Sequence, residues 1–132
     1  TWKIIERLIA QEETKGIDRS RIFLGGFSQG GCMALFSALK MTRPIGGIIG
    51  ISCYLPLMSR YDAEHVGDGI LSPIFVGYGK QDNIVPPPIN ELRKLGATDL
   101  WSKGYPGIEH NMCLEEVQDL SDFLERCLNG NP

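Results

Sequence analysis

Gly26-Phe27-Ser28-Gln29-Gly30 sets a serine between glycines two positions away on each side, directly after the apolar run "RIFL" and before the apolar run "MALF". That pattern fits a nucleophile on a sharp strand-to-helix turn, with its hydroxyl lifted clear of a sheet. The turn calls for glycine at 26 and 30, where any side chain is expected to collide across it. A serine hydroxyl is a weak nucleophile at neutral pH, so it needs a base to take its proton and a carboxylate to orient that base. Two histidines narrow the search for the base. In the chain order serine, acid, histidine, His110 of "YPGIEHN" stands just before the final helical stretch, where the base belongs. His65 precedes every suitable acid and reads as a solvated loop histidine. Asp82, in "GYGKQDNIVP", lies just beyond an apolar run and is the expected acid, whereas Asp99 begins a strand and so falls at the wrong end of a sheet. The backbone N–H of Gln29 then points toward the oxygen that becomes an anion when Ser28 attacks a carbonyl.

Other chemistries fit less well. Cys32 lies one helical turn past the serine on an apolar face and Cys113 opens the last helix, so both read as packing residues. The glycine cluster lacks the G-K-[ST] ending of a nucleotide loop and the G-x-G-x-x-G spacing of a dinucleotide fold.

These residues need elements to position them. Trp2, Ile5 and Leu8/Ile9 recur at helical spacing up to Gly16, a C-cap. "RIFLGG" reads as a parallel strand buried on both faces, and 28–40 as a largely buried helix in which Gly30 and Gly31 allow close approach to the sheet. Further strands are predicted in residues 45–55, in 73–79 and, more weakly, in "TDLWSKGY". Residues 56–72 read as a loop with a short helical turn. "VPPPIN" ends any regular element, and "INELRKLG" is a short helix closed by Gly96. In the final helix Leu114, Val117, Leu120, Phe123/Leu124 and Cys127/Leu128 form the apolar stripe, with Glu115, Glu116, Gln118, Asp119 and Glu125 facing out. Strands alternating with helices imply an α/β fold with a parallel sheet, whose chemistry gathers at the carboxyl ends of the strands.

The 132 residues are 42% hydrophobic and 22% charged, with a formal net charge of -3. This is the balance of one globular domain spanning 1–132, with no basic field for nucleic acid or anionic lipid. The four cysteines form no C-x-x-C pair, which fits free thiols in a reducing, cytoplasmic setting. No apolar stretch reaches the length of a membrane span, and no secretory leader is evident. The chain starts in the middle of a helical pattern, as a partial sequence would.

Taken together, "RIFLGGFSQGG", "ISCYLPL", "GKQDNIVP" and "YPGIEH" followed by an amphipathic helix resemble, in the same order, the acyl-protein thioesterase and lysophospholipase branch of the α/β-hydrolases, close to bacterial carboxylesterases. The resemblance covers nearly the whole chain. It implies an α/β-hydrolase sheet with flanking helices, without the N-terminal strands, and hydrolysis of acyl thioesters or esters such as S-acylated proteins or lysophospholipids. It matches Ser28 to the nucleophile, Asp82 to the acid, His110 to the base and Gln29 to the oxyanion residue, and it calls for no metal or organic cofactor. Three departures stand out. The early strands and the "HGxGD"-type loop that supplies a second oxyanion N–H are absent, Tyr78 replaces a frequent histidine, and the segment from Pro86 to Glu91 is shortened. Without the early strands the "RIFLGG" strand exposes an edge, which invites self-association. A short-chain carboxylesterase and a truncated, non-catalytic fragment that acts by binding are the alternatives.

Overall fold

Short runs rich in isoleucine, valine and aromatic residues form the strands, and longer runs with helical periodicity form the helices between them. The computed structural model describes residues 2–55, 66–83 and 87–129. Their order is α1 (Trp2–Thr14), β1 (Phe23–Phe27), α2 (Gln29–Lys40), β2 (Gly47–Ile51), β3 (Ile74–Gly79), α3 (Ile89–Lys94), β4 (Leu100–Tyr105) and α4 (Leu114–Asn129). Short 3-10 turns at Arg19–Arg21 and Asp68–Leu71 lead into β1 and β3, the second being the helical turn expected within 56–72. Residues 56–65, including His65, and residues 84–86 lie outside the described residues.

The four strands pair in parallel in the order β1-β2-β3-β4. Phe27, Ile51, Gly77 and Lys103 fall in one row across the sheet, so the carboxyl ends of the strands finish together. Alternation along the strands divides the core in two. Ile48, Ile74 and Val76 pack with Leu35, Ala38 and Leu92 on the side of α1, α2 and α3. Ile49, Ile51 and Phe75 pack with Phe123 of α4 on the other. Burying Leu35, Ile48, Ile74 and Phe123, each 0% exposed, contributes about 1.5–3 kcal/mol per side chain from transfer alone. Gly16 (φ +93°) and Gly96 (φ +117°) end α1 and α3 in the left-handed conformation, as their placement after the last apolar residue predicts.

Four expectations need correction. β1 is only half-buried, because it pairs with β2 alone and no described strand covers its outer edge. Leu8 is 54% exposed; α1 turns Trp2, Ile5 and Ile9 inward instead, since its short contact with α2 admits a narrow stripe. The steric demand for glycine falls on Gly26 and Gly31 rather than on Gly30. A Cβ at Gly26 would meet Gly30 O at 2.6 Å and one at Gly31 would meet Cys53 Cβ at 2.8 Å, whereas one at Gly30 meets nothing within 4 Å. Lastly, α4 leaves Leu114 and Val117 exposed and buries Glu116 completely. Its first turn lies across bare glycine backbone at the end of β3, and Glu116 is the side chain that points there.

Candidate active site

The site is built where β1 hands over to α2. The backbone of Ser28 has φ 55° and ψ -117°, an unusual conformation for a residue with a side chain. Such a conformation costs on the order of 1–3 kcal/mol and persists only where the surroundings hold it. Here the holding groups are visible. Ser28 N–H donates to Ile51 O at 2.8 Å, extending the β1–β2 ladder by one bond, and Cys32 N–H donates to Ser28 O at 2.9 Å, starting the helix. The glycine at 26 lets the strand pass under the first turn of α2. Gln29 is the first residue of α2, so its backbone N–H is among the amides that a helix leaves without an internal partner at its start.

The second part comes from the end of β3. Asp82 N–H donates to Gly79 O at 3.0 Å in a tight turn, and the carboxyl is 1% exposed. The third part is the loop between β4 and α4. Gln81 N–H donates to Ile108 O at 2.9 Å, and the Gln81 side chain accepts from Gly107 N–H, so the loop is fastened to the residue beside Asp82.

These fastenings bring three distant residues into one chain of hydrogen bonds. Ser28 Oγ is 2.9 Å from His110 Nε2, and His110 Nδ1 is 2.9 Å from Asp82 Oδ2. With Asp82 accepting at Nδ1–H, Nε2 carries the lone pair and accepts from the serine hydroxyl. A hydroxyl bonded to an imidazole whose far nitrogen faces a buried carboxylate can give its proton to the ring as the oxygen attacks an electrophile. Ser28, Asp82 and His110 are therefore brought together as the spacing predicts. Asp99 precedes β4 at the opposite end of the sheet, its carbonyl accepting from Ile74 N–H. Cys32 is buried and Cys113 half-buried, and both are free thiols.

Two neighbours of the site escape sequence reasoning. The ring of Phe27 lies 5.3 Å from that of His110, tilted by 43°, although Phe27 is 43% exposed; nothing in the sequence separates it from an ordinary strand residue. Glu116, in the first turn of α4, is the other: its carboxyl occupies the space that a Cβ at Gly77 would need, and no local pattern links a helix residue to a strand glycine so distant in the chain.

Two recesses flank the serine. One of 510 Å³ opens beside Asp82 and His110, with Asn83, Glu109 and Asn111 on its wall. The other, of 560 Å³, begins at Gln29 and runs between Trp2, Met33, Phe36 and Tyr54. Burial pushes the Cys53 thiol near the second recess up to about 12, with Cys32 adding to the effect, so this thiol stays neutral and unreactive at physiological pH.

Known proteins are similar to this chain in sequence and in fold. Acyl-protein thioesterase 1 of Emericella nidulans is 36% identical over 129 residues, covering 92% of this chain and 54% of that protein. That of Gibberella zeae is 38% identical, covering 96% and 56%. Among solved structures, SOBER1 of Arabidopsis thaliana superposes with a TM-score of 0.85 at 26% identity, covering 96% of this chain and 62% of its own. A phospholipase/carboxylesterase from Dyadobacter fermentans gives 0.79 at 25%, covering 94% and 61%. The chain thus spans little more than half the length of the curated relatives it matches. The shared fold is the α/β-hydrolase parallel sheet with flanking helices. The profile of the phospholipase/carboxylesterase family matches residues 1–128, and the chain belongs to that family of α/β-hydrolases.

Proposed function

We propose that this chain carries the catalytic triad of a serine hydrolase acting on acyl thioesters or esters. The observation that supports it most is the unbroken line from Ser28 Oγ through His110 to Asp82 Oδ2. Ser28 attacks the acyl carbonyl, its proton passes to His110 Nε2, and the Gln29 N–H stabilises the carbonyl oxygen as it becomes an anion. The C–S or C–O bond to the leaving group then breaks, with His110 returning the proton to sulfur or oxygen. Water repeats the sequence on the acyl-serine and releases the fatty acid. Asp82 holds the ring in the tautomer that both halves require.

The recess between Trp2, Met33, Phe36 and Tyr54 suits a hydrocarbon chain, and the relatives named acyl-protein thioesterase point to S-acylated proteins as substrates, with lysophospholipids as a second class. Four free thiols fit work in the cytoplasm. The uncovered edge of β1 supports self-association of the chain alone.

Labelling with a fluorophosphonate probe tests the reading. Wild type is expected to label, with the signal lost in Ser28→Ala and His110→Ala; labelling that survives Ser28→Ala rejects the proposal. A folded, monodisperse chain that never labels favours the non-catalytic binding fragment. Rates on p-nitrophenyl esters that fall steadily from acetate to octanoate favour a short-chain carboxylesterase instead.

A further inference from the structure

One buried ionisable group takes no part in that chemistry. Glu116 is 0% exposed, and neither of its carboxyl oxygens has a hydrogen-bond partner among the described residues. An isolated carboxylate in such a place is relieved most simply by taking a proton.

Its position is specific. The carboxyl fills the space that a Cβ at Gly77 would need, and two residues along the same face of β3 a Cβ at Gly79 would strike the carbonyls of Ile108 and Glu109. Gly77 and Gly79 therefore form one slot of bare backbone. One half receives Glu116 and the other receives the loop that carries His110. The same strand runs on to Asp82, and Glu116 belongs to the first turn of α4, directly after that loop. We propose that Glu116 is a positioning residue: as a neutral acid it seats the first turn of α4 in the glycine slot and so holds the His110 loop against the strand end that bears Asp82. The proposal rests on the triad reading given above.

The surroundings favour the neutral form. Burial, with Asp119 acting in the same direction, raises the Glu116 carboxyl to about 7, while the nearby Cys113 N–H opposes the shift without reaching hydrogen-bonding geometry. Tyr105 faces it from β4 but donates to Asp119 at 2.8 Å. Lys103 spends its charge on Glu115 at 2.9 Å and Asp119 at 3.0 Å. β2 and β3 present Ile49, Ile51 and Phe75 on this face, which offer no charge.

The test compares wild type, E116Q and E116A across pH 6 to 8.5, following the downfield proton resonance of His110 Nδ1–H beside the rate of fluorophosphonate labelling. Wild type is expected to show the resonance at pH 6 and lose it as Glu116 ionises, whereas E116Q, which mimics the neutral acid, keeps it throughout. At pH 8 the labelling rate of E116Q should exceed that of wild type by roughly tenfold, the ratio set by a group titrating one unit lower. E116A should weaken the resonance at every pH; circular dichroism reports whether it folds, and the comparison of wild type with E116Q decides the matter if it does not. Superimposable pH profiles for wild type and E116Q overturn the proposal, as does a wild type without the resonance at pH 6. If the resonance depends on Glu116 while neither protein labels, the positioning role stands and the hydrolase reading falls.

Discussion

At the scale of single residues, the turn at Ser28 separates two glycines that the sequence presents as equals. Gly26→Ala forces a methyl group into the backbone of Gly30 and should cost several kcal/mol, on the order of the larger core overpacking penalties. Gly30→Ala meets open space inside a helix and should gain about 0.5–1 kcal/mol from helix propensity. Denaturant titration of the two variants measures both values, and equal losses would mean that the turn is packed differently. Asp82→Asn should leave the fold in place while cutting labelling by roughly 10⁴-fold, because the amide favours the wrong imidazole tautomer. The proximity of Ser28, Asp82 and His110 was legible in the sequence because each follows a strand that ends on the same side of a parallel sheet. The Phe27–His110 contact was not, since ring packing between residues so distant in the chain leaves no local pattern.

At the scale of elements, the strands and helices follow from periodicity, and the errors fall where an element meets backbone rather than side chains. The stripe in α4 is real from Leu120 to Cys127, which pack against Phe75 and Phe123. It fails in the first turn, where Leu114 and Val117 stay exposed while Glu116 fills the space beside Gly77. A folded-state carboxyl raised from its ordinary value of 4.5 to about 7 makes the native state bind the proton more tightly than the unfolded chain does. The associated stability is fully present below pH 4.5 and fades as pH climbs through about 7. Glu116→Gln removes that dependence. The Tm difference between the variant and wild type should therefore shift in the variant's favour between pH 5 and pH 8; a constant difference would show that Glu116 does not titrate in this range.

At the scale of the molecule, β2 and β3 are buried on both faces while β1 and β4 form the edges. The two edges are not alike. β4 carries Ser102 and Lys103, which discourage pairing, whereas the outer edge of β1 runs along Phe23, Leu24 and two glycines with no charge. Sedimentation velocity over a tenfold range of concentration should show association that grows with concentration; a monomer throughout would remove β1 as a pairing surface. The sequence predicts the strands, but that β1 lies at the edge of the described sheet is seen only from the sheet order.

That sheet order also bears on time. Spatial neighbours are neighbours in the chain, so each strand can dock on the one before it as synthesis proceeds, with no earlier gap to be filled by a later segment. Ser28 is in place early. His110 and α4 emerge later, after Ile49, Ile51 and Phe75 have waited with one face bare. A nascent chain halted before α4 would hold a formed sheet and an inert serine. The machinery of the cell would meet it as a sticky intermediate.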